Sequence, residues 1–369
     1  MHSIHRLHSI LFAALVLLTS AFALQRAGSF KTSIDSVGLL EGKLSHAFES
    51  HYDQVFPGRT FAINLWAAID YKLFREGHEG VVVGRGGWLY SDEEFRLGNG
   101  ADDEVARNLT AIADVRDQLA ARGVQLLVAV VPAKARVYPE HLRRRRQPPA
   151  THATAYSRAQ AMLQARAIPN AELLTPLRLG SKDAETYLRT DTHWTPYGAR
   201  IAATTIAEAI KPLGLPAIPA QKYRGVVDGR APHSGDLLNF LPMTPWFASL
   251  LPPPDALERT HTEAPVATGD LLGDAPAPRI ALVGTSYSAN PLWDFPGALQ
   301  QALKEPVANY AKDGVGPFAP MQAYLASADL RDQPPLLVIW ELPERYLPTH
   351  QSFDGAAPAP TATTNGEQS

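Results

Sequence analysis

Val124-Gln-Leu-Leu-Val-Ala-Val-Val131 is apolar at every position but one. A run this short and continuous suits a strand buried on both faces of a parallel sheet. Just upstream, Val105, Leu109, Ile112, Val115 and Leu119 recur at steps of three and four, and Gly123 follows Arg122. That spacing predicts a helix from Asp102 that closes at the glycine. Comparable apolar runs stand at Ile280–Val283 and Leu336–Trp340, with weaker ones at Ala171–Leu174 and Val307–Tyr310, and helical stretches separate them. Alternation of this kind indicates an α/β fold, a doubly wound parallel sheet over residues 80–350, which binds ligands at the carboxyl ends of its strands.

Toward the N-terminus, Gly80-Val-Val-Val-Gly84-Arg-Gly-Gly87-Trp-Leu-Tyr90 reads as two short strands about a glycine turn, and neither phosphate-loop pattern is present in it. Phe48–Phe74 is amphipathic and interrupted at Pro57-Gly58, so residues 25–79 form a small N-terminal helical extension. Before it, an apolar run from Ile10 to Leu24 follows His2 and Arg6 and contains Ala21-Phe22-Ala23. Residues 1–24 therefore read as an export signal, either cleaved or kept as an anchor in the inner membrane, with the rest of the chain in the periplasm. Residues 351–369, rich in Pro, Ala, Thr and Gly, have little to bury and are expected to be disordered.

The chain has 369 residues, 34 basic and 37 acidic, and a net charge of −3. That balance argues against nucleic acid as a partner, and the one dense charge run, Arg143–Arg146, reads as a solvated loop. With no cysteine, disulfides, thiolate metal sites and nucleophilic cysteine are excluded.

Two constellations carry chemistry. In Arg279-Ile-Ala-Leu-Val-Gly284-Thr285-Ser286-Tyr287-Ser288 an apolar strand runs into a turn that exposes a serine hydroxyl beside free backbone N–H groups. In Thr190-Asp191-Thr192-His193-Trp194-Thr195-Pro196 the Asp/His pair lies just before a helix, with Thr195 as N-cap and Pro196 in the first helical position. A neutral imidazole there can take a proton from a serine while a carboxylate orients it. A capping Asp with a surface His, and a metal pair, compete with that reading. No third ligand is evident in the sequence, so no metal is assigned.

These blocks, with Val83-Gly84-Arg-Gly-Gly-Trp88-Leu-Tyr90, Val131-Pro132-Ala-Lys134-Ala-Arg-Val-Tyr138-Pro139 and Glu341-Leu-Pro-Glu-Arg345, resemble SGNH hydrolases in circularly permuted block order, since the Asp/His block precedes the serine. From about Phe56 to Leu347 that combination resembles the AlgJ/AlgX family of alginate O-acetyltransferases. Without room for AlgX's extra C-terminal carbohydrate-binding module, the chain is nearer AlgJ. Two departures from ordinary SGNH enzymes stand out: Asp191 and His193 are two residues apart rather than three, and Glu341 stands near the place of the block-three Asn.

The resemblance implies an O-acetyltransferase acting on a secreted polysaccharide, alginate or a similar polymer, with Ser286, His193 and Asp191 in triad roles and no cofactor. It also implies a polysaccharide acceptor, an acetyl donor or a membrane-bound O-acyltransferase partner, and other exopolysaccharide assembly proteins. A secreted acetylesterase and a non-catalytic glycan-binding assembly protein are the alternatives. The Ser286 N–H and the loop containing Gly314 and Gly316 are the candidate oxyanion donors. Lys134, Arg136 and Arg345, at strand ends, are candidates for binding uronate carboxylates. Trp194 and Tyr287 are candidates for stacking on a sugar face.

Overall fold

Strand pairing in the computed structural model follows the apolar runs. Residues 2–28, 30–31, 41–56, 58–265 and 277–353 are described. Among them the strands are β1 (Val81–Val83), β2 (Leu89–Ser91), β3 (Gln125–Val131), β4 (Arg224–His233), β5 (Asp255–Glu263), β6 (Ile280–Val283), β7 (Val307–Asn309) and β8 (Leu337–Pro343). β3, β8, β6 and β7, in that spatial order, form a parallel sheet. Alternate residues of its strands enter two separate cores. Leu127, Ala129 and Val131 of β3 and Ile339 of β8 pack on one face with Ala199, Ala202 and Ile206 of the helix Pro196–Ile210. Leu126, Val128 and Val130 pack on the other with Val105, Ile112 and Leu119 of the helix Ala101–Ala120. Helices on both faces leave little of the central strands in water, which is why they read as continuous apolar runs. The fold is α/β, a parallel sheet with helices packed on both faces.

Ala171–Leu174 does not form the expected strand. One bridge, Val128 to Asn170, is made, and the following N–H groups are captured by side chains: Leu173 donates to the Tyr156 hydroxyl and Leu174 to Glu172 Oε1. The chain turns instead into the helix Leu174–Gly180. β1 and β2 pair antiparallel about the glycine turn. The Thr195 cap is made by its side chain, which accepts from the Gly198 N–H at 3.0 Å.

By contacts the chain divides into two units. One holds the residues up to His78 with Leu241–Leu251, and the other holds Glu79–Phe240 and the chain from Pro252 onward. In the first, helices span His2–Ala27, Lys43–Val55 and Arg59–Ile69, and a π-turn covers Asp70–Phe74. Among the described residues no helix is long and apolar enough to cross a membrane. Disorder beyond residue 353 falls outside the described residues, whereas Phe353 packs its ring edge-on against Phe318.

An antiparallel pair without apolar alternation, β4 with β5, runs from Arg224 opposite Glu263 to His233 opposite Asp255, with a register shift between Val227 and Gly229. Its last residues reach the Asp191 loop.

Candidate active site

The carboxyl ends of β3, β6 and β8 deliver Lys134, Ser286 and Glu341 to one end of the sheet. β6 ends at Val283, Gly284 follows it, and Ser286 opens a single helical turn, Ser286–Ala289, capped by Thr285. As the first residue of that turn, Ser286 has an N–H outside the helical ladder. The turn rests on Glu341, which is fully buried. Its Oε2 accepts from the Thr285 N–H at 2.7 Å and the Ser288 hydroxyl at 3.0 Å, and its Oε1 accepts from the Thr285 hydroxyl at 3.0 Å. Burial pushes the Glu341 carboxyl above its usual range, against the pull of those donors. Gly284 has to be glycine because a Cβ would collide with the Glu341 carboxylate.

His193 meets this turn from the loop before the helix Pro196–Ile210. Its Nε2 is 2.7 Å from Ser286 Oγ, and its Nδ1 is 2.7 Å from Asp191 Oδ1. Trp293 stacks on the imidazole at 4.9 Å, and the Tyr287 ring lies 4.8 Å away. The Trp293 Nε1–H donates to the Ser286 carbonyl and the Tyr287 hydroxyl to the Thr192 carbonyl, so both rings are fixed to the two halves of the site. Ser286 is 9% exposed and His193 8%, so the two reacting groups are largely withdrawn from water.

Asp191 is the most heavily bonded group present. Besides His193, its Oδ2 accepts from His233 Nε2 at 2.8 Å and from the Asp236 N–H at 3.1 Å. Burial opposes its ionisation, but the hydrogen bonds from His193 and His233 outweigh burial and hold it well below the usual carboxylate range. A carboxylate held low in the folded state contributes stability above its unfolded value, about pH 4, and loses it as pH falls further. Asp191→Asn should therefore lower the unfolding free energy more at pH 7 than at pH 3, as measured by urea denaturation.

Other expected contacts are relocated. Lys134 is fully buried, and its Nζ donates to the carbonyls of Leu89, Arg189 and Asp191 at 2.6, 2.9 and 2.8 Å. No donor remains for a uronate. Arg136 is clasped by Glu344 and the His152 and Ala153 carbonyls. Arg345 pairs with Glu93 at 2.8 Å, not with Glu341 or Glu344, and lies over the Tyr346 ring. Trp194 and Tyr287 are buried against each other, so neither offers a face to a sugar. Gly314 and Gly316, both at positive φ, follow β7 in a loop tied to the serine strand by a hydrogen bond from the Lys312 N–H to the Gly284 carbonyl. Among the described residues no hydrogen bond joins either glycine to Ser286.

The third acidic or imidazole group that the sequence did not reveal is Asp236, which with Asp191 and His193 brings three donor atoms within 4.8 Å of one another. His193 Nδ1 and Asp191 Oδ1 are already bonded to each other, and Asp236 Oδ1 accepts from the Thr192 N–H, so the group is engaged as a hydrogen-bond relay. Sequence reading also missed His233, Asp255 and Trp293, which come from segments distant in the chain. An imidazole between a serine hydroxyl and a buried carboxylate can transfer the serine proton and hold the charge that results.

The profile of the family described as "SGNH hydrolase-like domain, acetyltransferase AlgX" matches residues 81–344. "Probable alginate O-acetylase AlgJ" of Pseudomonas aeruginosa is 45% identical over 346 residues, which cover 91% of this chain and 88% of that relative. Among solved structures, the O-acetyltransferase domain of Pseudomonas putida AlgJ is 44% identical with a TM-score of 0.69, over 76% of this chain and 96% of the other. Pseudomonas aeruginosa AlgX is more distant, at 26% identity and a TM-score of 0.54 over 73% of this chain and 66% of that one. Taken with a serine, imidazole and carboxylate at the carboxyl end of a parallel sheet, these likenesses place the chain in the AlgJ family of alginate O-acetylases, as an enzyme with an acetyltransferase-type SGNH-like domain.

Proposed function

We propose that this enzyme transfers acetyl groups to hydroxyls of alginate, outside the cytoplasm, through an acetyl-enzyme formed on Ser286. The observation that carries the mechanism is the unbroken line of 2.7 Å contacts from Ser286 Oγ through His193 to Asp191. His193 Nε2 takes the Ser286 proton as Oγ attacks the acetyl carbonyl, and the same nitrogen returns that proton to the departing donor group. A sugar hydroxyl then gives its proton to His193 and attacks the acetyl carbon. Ester transfer to sugar regenerates the serine, which recovers the proton. The Ser286 N–H, at the head of its helical turn, is one oxyanion donor, and the loop of Gly314 and Gly316 is the candidate source of a second. The polymer is inferred from the AlgJ relatives, and the site outside the cytoplasm from Ile10–Leu24 with Ala21-Phe22-Ala23. A membrane-bound O-acyltransferase that supplies the acetyl group fits the same reading, as do other alginate assembly proteins.

The test gives the purified protein an activated acetyl ester with and without uronate oligomers. Oligomers that gain acetyl groups in mass spectra, with less free acetate, are the expected result. Acetate release unaffected by any oligomer would replace the transferase by an esterase.

A further inference from the structure

The Asp191 loop is gripped by both strands of the β4–β5 pair at one register position. His233, at the end of β4, donates to Asp191 Oδ2 at 2.8 Å. Opposite it in the pair, Asp255 at the start of β5 accepts the N–H groups of Arg189 and Thr190 at 3.0 and 2.9 Å and also the Thr190 hydroxyl. Between them the Gly235 N–H donates to the Thr190 hydroxyl, and the backbones approach so closely that a Cβ on Gly235 would collide with the Thr190 carbonyl. The charged and titratable groups facing His233 are Asp191, Asp236 and Asp255, with His193 on the other oxygen of Asp191. Trp293 stacks on His193 and packs perpendicular to His233 at 6.1 Å, so one indole contacts both imidazoles.

We propose that His233 is a positioning residue: it holds Asp191 from the side opposite His193, and its charge sets how much of the carboxylate is left to stabilise a proton on His193. This rests on the reading of Ser286, His193 and Asp191 as a triad. Two imidazoles share one buried carboxylate, and the carboxylate serves the serine through only one of them. The hydrogen bond to Asp191 raises the His233 pKa, so His233 is cationic where an ordinary imidazole has begun to lose its proton. A cation there competes with His193 for the charge of Asp191 and so weakens the support that the carboxylate gives to an imidazolium beside Ser286.

His233→Gln retains a donor of similar reach and removes the titration, and His233→Ala removes both. In the glutamine variant the acidic limb of kcat is expected to move up by about one pH unit, with the plateau within about threefold of the parent. In the alanine variant kcat is expected to fall about tenfold at all pH values with KM unchanged. Superimposable pH profiles for parent and glutamine variant, even with lowered stability, would overturn the proposal by reducing His233 to a structural contact. NMR of imidazole-labelled protein tests the coupling without activity. His233 should titrate above the ordinary imidazole value in the parent and lower in Asp191→Asn; an unchanged midpoint would likewise overturn it. Loss of Ser286 dependence with that coupling intact would instead locate the failure in the triad.

Discussion

Ser286→Ala is expected to lower acetyl transfer about 10⁴- to 10⁶-fold, because without the hydroxyl no acetyl-enzyme can form and the remaining site only binds and polarises. Stability should change by about 1 kcal/mol or less. The lost group is a small hydroxyl making one side-chain hydrogen bond, to His193, while the backbone contacts of its turn persist. Transfer rates beside urea denaturation of both proteins check the two halves of this expectation together. A fall in activity matched by a large fall in stability would mean that the turn had collapsed, and activity within tenfold of the parent would remove Ser286 from the chemistry.

Lys134→Met has the largest expected effect on stability, about 3–5 kcal/mol. Methionine fills much of the space between the Trp88 and Tyr90 rings, over which the ammonium lies at 5.2 and 5.5 Å. It cannot replace the three donors that join the Leu89, Arg189 and Asp191 carbonyls; the Arg189 carbonyl keeps the Leu89 N–H, but a buried carbonyl left without a partner costs about 1–3 kcal/mol before relaxation. It also removes the cation beside Glu94, whose carboxyl burial already pushes up to about 7. Since one of the three carbonyls is that of Asp191, activity should fall along with stability. Urea denaturation at pH 7 reads the first, and a change under about 1 kcal/mol would mean that water takes over the three bonds.

Both constellations that meet in the site were legible because each is local. A serine following an apolar strand and a glycine, and an Asp/His pair preceding a capped helix, are written within ten residues apiece. The parallel sheet was legible because strands buried on both faces leave unbroken apolar runs. β4 and β5 left no such trace. Most residues of β4 from Arg224 to His233 are exposed, so the pair carries no alternation to read, and the importance of His233 and Asp255 arises only from where the register places them. Lys134 was ambiguous for a different reason. A charged residue after a buried strand reads equally as a ligand contact or a surface charge, and its true environment is made by carbonyls from segments 45 to 57 residues away. Glu341 did leave a signal, a carboxylate inside an apolar run, but which turn it braces depends on β8 lying beside β6.

The most direct measurement of the central claim is to quench the enzyme during reaction with an acetyl donor and map any acetyl adduct by peptide mass spectrometry. An adduct on Ser286 in the parent, longer-lived when uronate oligomers are withheld and absent from Ser286→Ala, is the predicted result. Efficient acetyl transfer with no adduct on Ser286 at any time point, or an adduct on another residue that the alanine variant retains, would contradict it.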